Sequence, residues 1–132
     1  MARNVDIVRS GYEHFAATGD IRVDIVAPGF VWDMSQFRGW PEEQMYEELE
    51  GTREFLRAWA QSWDDWEVEL ESLHEAGEQV LALVRQRGRS KATGLPVEMS
   101  FAQLWTLRDG RETRMVMYAD RVEAMRIAGI RR

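Results

Sequence analysis

The chain has no cysteine, which excludes disulfides and thiolate metal sites. Its two histidines, His14 and His74, fall on different predicted elements and show no HExxH spacing, so no zinc or iron site is expected. Lysine occurs once, at Lys91, beside sixteen arginines, and the formal net charge is −6. An acidic chain is a poor partner for a phosphate backbone, and no nucleic-acid partner is expected. No apolar run is long enough to span a bilayer or to serve as a signal peptide, so the expectation is a cytoplasmic protein with no membrane partner. Gly-rich phosphate loops, a nucleophile elbow and a dinucleotide fingerprint are all missing. No internal repeat, low-complexity segment or linker divides the sequence, and residues 1–132 are read as one domain.

What is present is an aromatic-rich globular chain. Hydrophobic residues make up 45%, enough for a packed core and too many for a disordered segment. There are six tryptophans, each able to bury roughly 150–250 Å² and each needing a partner for its N–H. Such a load points to a large core, an aromatic-lined pocket or a subunit interface. Arg85, Arg87 and Arg89 lie two apart on one strand face and read as a solvated edge.

The periodicity orders the elements. Val5, Val8, Tyr12 and Phe15 recur at helical spacing after a capping Asn4, and Gly19 stops the run. Ile21 to Ala27 reads as a short second helix ended by Pro28-Gly29, and Phe30 to Ser35 as a brief strand. Residues 36–51 carry turn signals without a clean period and read as a loop with one helical turn. Thr52 is a plausible cap for a third helix, whose apolar stripe is Phe55, Leu56, Trp59 and Trp63. From Trp66 the period becomes two, and "WEVELE" is a half-buried strand. A turn at residues 75–78, a strand from Gln79, a loop "SKATGLP" and a long strand from Val97 to Leu107 follow. Asp109-Gly110 is a hairpin signal, after which Arg114 to Ala119 pairs back. Val122, Met125 and Ala128 form a last short helix closed by Gly129. Helices segregated from an antiparallel sheet make an α+β domain. A strongly curved sheet around one long helix would enclose a pocket.

The strings "GYEHFAATGD", "FVWDMS", "EGTREFLRAWAQSWDDWEVELESL", "FAQLWTLRDGR" and "YADRVEA" resemble, in order and over nearly the whole chain, the SnoaL-like and ketosteroid-isomerase-like group of the nuclear-transport-factor-2-like superfamily. The resemblance implies a cystatin-like α+β cone, its curved antiparallel sheet wrapped around helices over a deep apolar pocket. It also implies a homodimer packed through sheet faces and, in the isomerase and cyclase branches, no cofactor. Activity is less specified, because the superfamily also holds dehydratases, epoxide hydrolases and proteins of no known reaction.

By the same resemblance, Tyr12 matches a first-helix tyrosine that donates to a substrate oxyanion. Its alternative is a core position on the helix stripe. Asp33 falls where the isomerases carry a proton-shuttling base, and otherwise is a strand-edge aspartate facing water or capping a loop. The isomerases' protonated aspartate on the long strand is replaced by Ala102, with Gln103 beside it, which argues against a true steroid isomerase. Gln103 would offer an amide to a substrate oxygen if it faced inward. Asp120 stands where the cyclases carry a general base at the end of the last strand. It also stands three residues before Glu123, close to a capping box. The epoxide-hydrolase pair Arg-x-Asp lacks its acid in Arg85-Gln86-Arg87.

Trp32, Trp63, Met99, Gln103, Trp105 and Tyr118 are candidate pocket residues, with core and interface as the alternative. The expectation is therefore a cofactor-independent isomerase or cyclase that abstracts a proton alpha to a carbonyl. Its substrate would be a small apolar, polyketide- or steroid-like molecule, with Asp120 or Asp33 as base and Tyr12 as oxyanion donor. The alternative is a non-catalytic dimeric protein that binds a hydrophobic small molecule.

Overall fold

The computed structural model describes residues 3–38, 40 and 44–130. Helix α1 (Asn4–Thr18) leads through a single 3-10 turn (Val23–Ile25) into strand β1 (Val26–Asp33). Strand β2 (Met45–Glu47) and helix α2 (Glu48–Ala60) follow. A long meander comes next: β3 (Trp63–Ala76), β4 (Gln79–Ser90), β5 (Pro96–Arg108) and β6 (Arg111–Tyr118). Helix α3 (Arg121–Ala128) closes the chain.

One sheet holds all six strands in the order β2-β1-β6-β5-β4-β3. The meander is antiparallel throughout, while β1 runs parallel to β6, so the α+β cone is built on a mixed sheet. Bulges bend it. Between Asp64 and Glu67, and again between Leu70 and Ser72, β3 carries an extra residue opposite β4, and each such insertion kinks and twists its strand. Asp65 sits at φ 53° in the first of them. The concave face is covered by α1 and α2, and the convex face of β4 and β5 by α3.

Local chemistry accounts for most element ends. Gly19 adopts φ 76° and donates its N–H to Phe15 O at 2.7 Å, a left-handed C-cap that suits glycine. Asp109 and Gly110 both take positive φ, 53° and 77°, the requirement of the primed turn that joins β5 to β6. Four expectations are corrected. Asn4 does not cap α1; it is the first residue of the helix, and the N-cap, Arg3, makes no side-chain cap hydrogen bond. The helix expected over Ile21–Ala27 is only the 3-10 turn followed by the start of β1; its β-branched residues are stiff at χ1 and favour extended backbone. The long loop expected over residues 36–51 contains β2 and the first turn of α2, while Gly39 and residues 41–43 lie outside the described residues. Thr52 does not cap α2; it lies inside it and donates its hydroxyl back to Glu48 O at 3.0 Å.

Two apolar clusters result. The larger fills the concave side, where Trp32 packs on Phe55 with ring centroids 4.9 Å apart and Phe30 stacks near Trp105 at 6.1 Å. The smaller lies under α3, where Ala124 and Met125 cover Leu81, Ala102, Leu104 and Tyr118. The sheet is thus apolar on both faces in its middle. Asp120 anchors α3: its Oδ1 accepts the N–H groups of Val122 at 2.9 Å and Glu123 at 3.1 Å. Asp120→Ala should cost about 1 kcal/mol and lower the thermal midpoint by a few degrees, whereas Asp120→Asn, which keeps the acceptor, should be near neutral. Thermal melts of the two variants check this.

Candidate active site

The interior is not filled. A cavity of about 90 Å³ lies between α1, α2 and the concave face of the sheet, and its wall is mostly apolar. Most of its aromatic lining comes from Phe15, Trp32, Phe55, Trp59, Trp66 and Trp105, with Phe101 beside them. Polar side chains enter at four places: Tyr12 and Gln103, Gln86, Arg22, and Glu112.

Tyr12 and Gln103 form one relay. Trp105 Nε1 donates to the Tyr12 hydroxyl at 2.9 Å, and that hydroxyl donates in turn to Gln103 Oε1. Gln103 faces inward because the concave residues of β5 are the odd-numbered ones, Phe101, Gln103 and Trp105; Ala102 faces α3. The relay uses the tyrosine's only proton. It leaves Gln103 Nε2 with the Met117 thioether at 3.7 Å, a weak acceptor, so this amide N–H is the donor most open to an incoming oxygen. Burial holds the Tyr12 phenol well above its ordinary pKa; the Trp105 hydrogen bond opposes the rise and the nearby Glu112 carboxyl adds to it.

Glu112 is the acid that sequence reasoning missed. Inward positions on β6 run Met117, Met115 and then, by strict alternation, Thr113. The register shifts instead: Thr106 pairs with Arg114 and Leu107 with Glu112, so Thr113 is the extra residue of a bulge and Glu112 turns inward. Thr113 Oγ1 donates to Thr106 O at 3.1 Å and holds the bulge. The Glu112 carboxyl lies beneath α1, where a Cβ built at Gly11 would stand 3.8 Å from its Oε2. Glu112 is 4% exposed, and no donor among the described residues reaches its oxygens in the hydrogen-bond network. Burial raises its pKa from 4.5 to about 8, so the group is mainly protonated at neutral pH and partly ionised just above it. Arg22, the cation in the same wall, is engaged by the Asp24 carboxylate at 2.8 and 3.0 Å.

Of the residues singled out in the sequence, Tyr12, Trp32, Gln103 and Trp105 meet in the cavity wall. The others lie elsewhere. Asp33 is on the opposite face of β1 from Trp32 and is paired with Arg114, with Ser35 N donating to Oδ1 at 2.8 Å. Burial alone would raise the Asp33 carboxyl, but the Ser35 and Arg114 contacts outweigh it and hold the group below the usual carboxylate range. Asp120 is exposed at the head of α3 with its oxygen spent on the cap. Tyr118, of even number on β6, lies under α3 on the convex side. Trp63 and Met99 are partly buried against the concave-side core and are not among the cavity's lining residues. Arg85 and Arg87 face outward and pair with Glu71 at 2.8 Å and Glu98 at 3.9 Å, as a charged sheet surface should. Among the described residues no cluster of three acidic or histidine side chains is placed to hold a metal, and no helix is long and apolar enough to cross a membrane.

The curved sheet, with its helices, closes over an apolar hollow that a few polar groups enter, and solved NTF2-like proteins share this fold. Residues 6–115 match the family described as the SnoaL-like domain, and the chain belongs to that family. It is similar in structure to an NTF2-like protein from Burkholderia thailandensis, at 22% identity, TM-score 0.78, and 96% of this chain covered against 97% of that one. A candidate SnoaL-like polyketide cyclase from Jannaschia sp. superposes at TM-score 0.72 with 24% identity, covering 92% of this chain and 88% of its own. A protein of ketosteroid isomerase-like fold from Catenulispora acidiphila, solved in complex with trimethylamine, gives TM-score 0.66 and 15% identity, with 95% and 93% covered. No curated protein sequence matches the chain.

The pH dependence of stability follows from Glu112. An unfolded glutamate releases its proton near 4.5, the folded one near 8. Between those values the native state holds a proton that the unfolded state has lost, so stability falls as pH rises through the window. From pH 5 to 9 the loss from this group should be on the order of 4 kcal/mol. Urea denaturation of wild type and Glu112→Gln across that range checks it: the variant should show a flatter profile, and an unchanged slope would place the carboxyl in water.

Proposed function

We propose that this protein is a cofactor-independent enzyme that moves a proton alpha to a carbonyl in a small, flat, apolar molecule, of the polyketide- or steroid-like kind. The single observation that carries this reading is Glu112: an unpartnered carboxyl in an apolar cavity, on the same wall as the Tyr12 and Gln103 relay. A base is most effective when its pKa lies near the working pH, and burial brings this one to about 8. The ionised carboxylate takes the α-proton, and the C–H electron pair moves into an enolate. The enolate oxygen accepts a hydrogen bond from Gln103 Nε2, whose amide is oriented by the Tyr12 hydroxyl on its Oε1. Tyr12 acts here as a positioning residue. The protonated Glu112 then returns the proton to another carbon, giving an isomer, or the enolate carbon attacks a second carbonyl, closing a ring, and Glu112 gives its proton to the alkoxide so formed. The Jannaschia relative in fold, a candidate polyketide cyclase, supports this class of reaction by analogy. The homodimer implied by the family resemblance belongs to the same proposal.

One observation favours a second reading. Asp33 and Asp120, the two carboxylates that the family resemblance brings forward, both lie outside the cavity. The pocket would then only bind its ligand, with protonated Glu112 as a hydrogen-bond donor.

Exchange of α-protons of ring ketones such as 2-tetralone into deuterated water, followed by NMR near pH 8, separates the two. Wild type should accelerate exchange at least 100-fold over buffer, with a rate that climbs through pH 8. Glu112→Gln should fall to background, while Asp33→Asn and Asp120→Asn should stay within about threefold of wild type. Binding of the ketones without exchange in any protein would establish the second reading instead.

A further inference from the structure

Gln86 sits on β4, opposite Val68 of β3 and Met99 of β5, in the cavity wall. It is 1% exposed. Its Oε1 accepts two indole hydrogens, from Trp59 Nε1 and Trp66 Nε1, each at 2.8 Å. An indole N–H only donates, so two indoles fix which end of the amide faces them: the oxygen lies on their side and the NH2 group on the other. That NH2 group has no partner among the described residues. Natural proteins leave few buried donors unpaired, because each one forfeits the hydrogen bonds it made to water. A neutral amide held rigidly by two tryptophans, in the wall of an apolar cavity, is a recognition element for an acceptor atom.

Its place along the sheet matters. Gln86 pairs with Met99 and Glu112 with Leu107, and Gln103 lies between those two positions on β5. Gln86 and Glu112 therefore stand towards opposite ends of the wall, with Gln103 between them.

We propose that Gln86 is a specificity-determining residue that donates its amide N–H to a second oxygen of the ligand, so that the pocket selects flat apolar frames oxygenated at both ends. This rests on the reading of the cavity as a site for carbonyl compounds and narrows the class of its substrate. Trp59 and Trp66 hold the amide, and any ligand at this end lies against their rings.

The test compares 2,6-diacetylnaphthalene with 2-acetylnaphthalene by titration calorimetry. Wild type should favour the two-ended probe by about tenfold, the range of one good neutral hydrogen bond. Gln86→Met fills the same space and removes the amide donor, and the preference should vanish. Should that variant fold poorly, the wild type itself decides the matter. In 15N NMR spectra the Gln86 side-chain NH2 signal should move with 2,6-diacetylnaphthalene and stay in place with 2,6-diethylnaphthalene. An unchanged preference in Gln86→Met, no preference in wild type, or an NH2 signal indifferent to the carbonyl probe would each overturn the proposal. These outcomes are independent of proton exchange: a lost preference with exchange intact strikes Gln86 alone, and missing exchange with the preference intact strikes the proposed reaction alone.

Discussion

The site depends on one irregularity in the backbone, the bulge at Thr113. Without it, alternation along β6 would turn Thr113 into the cavity and point Glu112 at solvent. A single inserted residue reverses the faces of everything before it in the strand. The Thr113 hydroxyl on Thr106 O anchors the insertion. Gly11 leaves room above the carboxyl, since a side chain there would press on Ile25 at 3.2 Å and approach Glu112. The helix, the bulge and the acid are thus one arrangement.

The rest of the cavity follows from the hydrogen-bond needs of tryptophan. Each buried indole has one N–H that must find an acceptor, and an apolar wall offers few. Here Gln86 meets it for Trp59 and Trp66, Tyr12 with Gln103 behind it for Trp105, and the Met34 thioether for Trp32 at 3.3 Å, while the buried Trp63 N–H has no partner among the described residues. In serving the indoles, both amides are oriented with their oxygens occupied. Their NH2 groups are left with a weak thioether in one case and nothing in the other. A packing requirement therefore produces two fixed donors in an otherwise apolar hollow, which is what a pocket for carbonyl compounds needs.

Much of the fold was legible because it is written in local chemistry. Gly19, the Asp109-Gly110 turn, the alternating "WEVELE" strand and the Asp120 cap each act within a few residues. The family strings supplied the order of the rest, and the SnoaL-like match agrees with them. The site was less legible because it depends on which way a side chain faces. Trp32 and Asp33 are adjacent and apolar-strand logic accepts either inside; burial on both faces of the sheet hides the answer, since α3 makes the convex side apolar as well. Tyr118 was misplaced for the same reason. Glu112 left one trace in the sequence: Thr113 falls at an inward position in a run that is otherwise methionine, a break in alternation that signals a shift of register. The helix expected at Ile21–Ala27 failed because its apolar spacing fits a helix while its β-branched residues do not.

The account rests on the burial of the Glu112 carboxyl in a mostly apolar cavity. The most direct measurement is the 13C chemical shift of that carboxyl, followed from pH 4 to 10 and assigned by its loss in Glu112→Gln. A midpoint near 8, well separated from the exposed glutamates, is the predicted result. A midpoint below 5, in step with those surface groups, would contradict the account and return Glu112 to solvent.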